Sequence, residues 1–97
     1  MLDFYIIKDE QKKSSSPKNL EFAGGLNDIT FNNLQIKGLI DKKHDYYNDF
    51  RWSEKIVEKK YNKILIDKIT NNTDIKILFE ILNKAIKMES GLIAFCD

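Results

Sequence analysis

The chain predicts an α+β fold, about three helices packed on a small sheet formed by the N- and C-terminal strands. Three observations carry this expectation. Residues 1–7 are a short, mostly apolar run and residues 92–96 an unbroken one, each with the length and composition of a strand. Residues 53–69 and 73–89 repeat apolar side chains at helical spacing. A lone strand leaves its backbone N–H and C=O groups unpaired, so pairing the first strand with the last is the economical arrangement.

The elements follow in order. Residues 1–7 read as a strand, and residues 8–19 as a mobile polar loop, since Lys12, Lys13, Ser14, Ser15 and Ser16 have little to bury and Pro17 lacks an N–H. Residues 20–23 read as a second short strand ending at Gly24-Gly25, which favours a turn. Asn27 or Asp28 caps a short helix to about Lys37, with Phe31 and Leu34 inward and Gly38 just past its end. Residues 39–51 form a connection. Ser53 caps the next helix, on which Val57, Tyr61, Ile64, Leu65 and the stem of Lys68 make a stripe widened by Ile56. Lys55, Lys59 and Lys63 fall on its solvated side. Thr73 or Asp74 caps the last helix, whose broad apolar arc runs from Ile75 to Ile86 and ends at Gly91. Residues 92–96 then read as a strand buried on both faces.

Ninety-seven residues make a single domain, 1–97. The 42% apolar and 32% charged content is that of a folded, soluble chain. Sixteen basic and 15 acidic residues nearly cancel, and neither half is biased. A general nucleic-acid binder carries a basic face strong enough to release counterions, so nucleic acid is not the expected partner. Cys96 is the only cysteine, which excludes an intramolecular disulfide and a multi-cysteine zinc site. The start of the chain resembles neither a signal peptide nor a membrane span. A cytoplasmic, non-membrane location is expected.

Nothing in the pattern calls for catalysis, a cofactor or a metal. His44 is the only histidine, and no strand–turn–helix nucleophile motif accompanies it. Among Lys42, Lys43 and Asp45 it reads as a solvated loop residue. Asp41, Asp45 and Asp49 recur every four residues, but a calcium loop needs acids at alternate positions, a central glycine and a closing Glu. Gly24-Gly25 lacks the spacing of a phosphate or dinucleotide loop.

The most informative segment is 45–52. Asp45, Tyr46, Tyr47, Asp49, Phe50, Arg51 and Trp52 lie within eight positions, including the only Trp and the only Arg of the chain. Trp, Tyr and Arg are the types most enriched at binding hot spots. In so small a domain, two or three of the four rings are needed for the core, and Trp52 is placed to pack over the helix that Ser53 starts. The expected partner-binding set is Asp45, Tyr46, Tyr47, Asp49, Arg51 and Trp52, with the tyrosines and Arg51 outermost and the two acids as a rim. The alternative is a small structural or regulatory homodimer, paired through the apolar run 92–95.

Four segments together, 4–8, 20–26, 45–52 and 90–97, give the chain a resemblance to small bacterial proteins, similar in size and layout to immunity proteins of bacterial toxin systems. The resemblance implies a cytoplasmic protein that binds and blocks a cognate toxin. Its near-neutral charge departs from the acidic members that cover basic nuclease sites.

Overall fold

A computed structural model of the chain describes residues 1–12, 16–67 and 71–96. Part of the expected loop (13–15) and the expected end of the second helix, with Lys68, lie outside them. The elements are β1 (Leu2–Ile7), β2 (Glu21–Leu26), α1 (Asp28–Ile36), β3 (Phe50–Trp52), α2 (Glu54–Asp67), α3 (Thr73–Lys87) and β4 (Gly91–Cys96). The strands form one antiparallel sheet in the order β2-β1-β4-β3. The α+β class and the pairing of first strand with last are thus present.

Strand alternation sorts the side chains. Leu2, Phe4, Ile6, Leu92, Ala94 and Trp52 join the main core with residues of all three helices. On the opposite face Ile7, Ile93 and Phe95 are buried with Tyr5 and Leu20 packed against them. This is why β4 reads as continuously apolar: every residue of it through Phe95 is buried. β4 has β1 on one side and β3 on the other. Both edges of residues 92–94 are therefore taken within the sheet, which leaves them no edge to pair across a two-fold axis.

Several local expectations change. β2 does not stop at the glycine pair; it passes through it, because a bulge at Ala23 re-aims the strand. The extra residue leaves its carbonyl outside the ladder, and Lys84 Nζ of α3 donates to it at 3.1 Å. The connection 39–51 ends in a strand, β3, that its composition did not announce. On α2 only Val57 and Ile64 are buried, while Ile56, Leu65 and Ile66 are exposed. Tyr61, half-buried, stacks on Phe79 of α3 at 4.8 Å. The N-cap of α3 is Asn72, whose side chain accepts from Ile75 N. Thr30 Oγ1 and Asn33 Nδ2 of α1 both donate to the Asp74 carboxylate at 2.9 Å, tying the two helix starts together.

Two helices end in the same six-residue closure. After α1, Leu39 N donates to Leu34 O and Gly38 N to Gln35 O, with Gly38 at φ 78°. After α3, Ser90 N donates to Ala85 O and Glu89 N to Ile86 O, with Glu89 at φ 50°. Glu89, and not Gly91, closes that helix. A side chain in this left-handed region is strained, so Glu89→Gly should stabilise the domain by about 1 kcal/mol. Chemical denaturation measures it, and an unchanged midpoint would count against the strain.

Among the described residues no helix is long and apolar enough to cross a membrane.

Candidate functional site

The cluster 45–52 does not form one surface. Its residues separate by strand alternation and by turn geometry. Phe50 and Trp52 point to the helix side of β3. Phe4, Phe50 and Trp52 make a three-ring contact with centroids 5.4–5.8 Å apart. Trp52 is 3% exposed, so it offers a partner no area and belongs to the core. Arg51 lies between them on the opposite face. Its guanidinium donates to the carbonyls of Lys8 and Gln11 at 2.7 Å and of Asp9 at 3.2 Å. Asp9 Oδ1 in turn accepts the N–H of Glu54 at the start of α2. The entry to the polar loop is therefore tied at two points, and Arg51 serves the fold. Asp49 is exposed, and its Oδ1 accepts from Cys96 N at the end of β4.

What remains as surface is Asp45, Tyr46 and Tyr47. Asp45 Oδ1 accepts from Tyr47 N at 3.0 Å and its carbonyl from Asn48 N, which sets the turn. That turn stands Tyr47 out at 73% exposure. Tyr46, half-buried, meets Phe31 edge-on at 5.6 Å and Tyr47 at 5.1 Å. Partial burial, with Asp28 next in weight, pushes the Tyr46 phenol above its ordinary range.

These residues border a groove of about 560 Å³ between α1 and residues 42–47. Asp28 and Ile29 form the α1 wall, and Lys42 and Lys43 lie along the other. Ile29 is 67% exposed. Sequence reasoning passed over it. The signal was available: on a helix whose inward residues are Phe31 and Leu34, Ile29 falls off the buried face.

His44 sits deeper than a solvated loop residue. Its ring stacks on Phe50 at 4.1 Å, and its carbonyl accepts from Gln35 Nε2 at 2.8 Å. Trp52 Nε1, a donor only, donates to His44 Nε2 at 3.4 Å, so that nitrogen must be unprotonated for the bond to exist. Burial, then the Lys43 charge, lowers the pKa of His44 from 6.5, against an opposing effect of Asp41. The unfolded chain then binds the proton more tightly. Stability should be fully present above pH 6.5 and decline as pH falls below it. His44→Gln should flatten that decline in denaturation midpoints between about pH 7 and 5. A slope identical to wild type would assign it to another group.

Among the described residues no three His, Cys, Asp or Glu side chains gather as a metal site. Comparison with protein-family models, with curated proteins and with solved structures finds no match. Fold and site define an α+β domain of three helices on a four-stranded antiparallel sheet, carrying an exposed aromatic–aliphatic groove with acids on its rim.

Proposed function

We propose that this domain is a non-catalytic protein-binding module of the immunity type, which binds a cognate bacterial toxin and blocks it. One observation carries the binding surface: Tyr47 and Ile29, both largely exposed, line the same groove. A patch of exposed apolar and aromatic surface beside a concavity is the kind of feature that marks a contact site. Tyr brings large contact area at low entropic cost.

The groove suits a partner loop that carries an apolar side chain beside a cation. An apolar or aromatic side chain fills the space between Ile29 and Tyr47, and a Lys or Arg beside it reaches Asp28 and Asp45. Neutralisation then needs no chemistry from this chain; the bulk of the domain over the toxin's active site excludes substrate. The immunity reading itself rests on the resemblance of the sequence.

The test is capture from the native host with tagged wild type and with Ile29→Ala/Tyr47→Ala as paired baits. A stoichiometric partner is expected on the first and lost from the second. Expressed alone, that partner should arrest growth, and co-expressed wild-type domain should restore it. A partner whose toxicity is unaffected would remove the immunity reading and leave the binding surface. The same partner on both baits would remove the surface.

A further inference from the structure

A second concavity, of about 330 Å³, lies between α2 and residues 38–44. Lys43, Lys59, Lys60 and Lys63 line it, with His44 and Trp52 as an aromatic wall. In a chain of net charge +1, four lysines border one small pocket. Asp41 is the acid among the lining residues, and its Oδ1 already accepts the N–H of Lys43. Arg51 borders the pocket, but its guanidinium is bound to the carbonyls of residues 8, 9 and 11.

Lys60 is fixed in place. Its Nζ donates to Leu39 O at 2.8 Å and lies 4.8 Å from the centroid of the Trp52 ring. Lys59 and Lys63 follow on the same helix row, four residues apart, where like charges repel. Among the described residues Asp41 is the acid that lines the pocket, and a small polyanion would offset the repulsion further.

We infer that this pocket binds the phosphate group of a small molecule, gripped by Lys43, Lys59 and Lys63 against the fixed Lys60. The volume accommodates a phosphate and a small organic group, the size range of small-molecule sites. Lysine ammoniums act here as point charges with rotatable donors, which suits a phosphate approached from several sides. The site is separate from the Tyr47 surface except that His44 and Lys43 border both. Two perturbations agree with it. Lys60 is lowered from 10.5 by burial, with Asp41 opposing and Lys63 and Lys59 adding to the effect. His44 is lowered by burial and then by Lys43.

As the single histidine, His44 gives one imidazole signal set to follow by NMR. Pyrophosphate is added at pH 7, with ionic strength held by sodium chloride. The expected result is a saturable His44 shift, with its pKa rising toward 6.5 as the anion offsets the lysines. Lys59→Gln/Lys63→Gln should weaken binding tenfold or more. Lys76→Gln/Lys87→Gln, which removes the same charge from exposed positions on α3, should leave it unchanged. A non-saturable drift equal to that of chloride alone overturns the site, as does equal weakening in both double variants. Saturation by an oligonucleotide with no response to pyrophosphate overturns it in favour of a nucleic-acid backbone.

Discussion

Gly91→Ala should cost the domain at least about 3–4 kcal/mol, or prevent folding altogether. A Cβ at position 91 would collide with Trp52 O and lie 3.0 Å from Ser53 C and 3.1 Å from Glu54 N. All three are backbone atoms, so no side chain turns aside to make room. They also sit where β3 passes into α2, and Asp9 holds the Glu54 N–H. Moving that junction would separate β3 from β4 and unseat Val57 and Ile64 together. For a chain of this length the loss corresponds to a fall in Tm of about 12–30 °C. Thermal unfolding followed by circular dichroism measures it. A fall smaller than ~4 °C would mean that β3 is not backed against position 91.

Trp52→Ala should cost about 3–5 kcal/mol, the range for truncating a buried large aromatic. The ring is 3% exposed and packs on Phe4 and Phe50 at 5.4 Å, with the Lys60 ammonium over its face. Truncation opens a cavity beneath a cation, so Lys60 loses its ring and His44 its donor together. Trp52→Phe keeps most of the volume and loses the indole N–H, and should cost about 1 kcal/mol. Guanidinium denaturation of the two variants separates packing from the hydrogen bond. A cost below ~1 kcal/mol for the alanine variant would return Trp52 to the surface.

The fold class was legible because strong periodic signals sit where they are least ambiguous. The run 92–96 and the arc from Ile75 to Ile86 admit one reading each, and the structure has both. β3 was not legible, because three residues carry too little period to register and its pairing with Leu92–Ala94 is tertiary. The glycine pair misled because glycine serves close approaches inside a strand as well as turns; a Cβ at Gly24 would meet the Ile81 side chain. Gly91 misled for a related reason: it looked like a helix stop and is a point of close backbone approach.

Part of the candidate surface was legible. Tyr46, Tyr47 and Asp45 stand together on the surface as the composition suggested. Arg51 and Trp52 went elsewhere, since alternate residues of a strand face opposite ways. The lysine pocket was invisible, because Lys59 and Lys63 look solvated on a helix drawn alone. Only packing brings residues 38–44 against them.

On the proposed reading, the Tyr47–Ile29 groove binds a protein partner without supporting the fold. Isothermal titration of the captured partner against wild type and Ile29→Ala/Tyr47→Ala, at matched Tm, tests it most directly. The variant should melt with wild type and bind at least ~30-fold more weakly, the loss of roughly 2 kcal/mol expected of a hot spot. Equal affinity in the folded variant would contradict it.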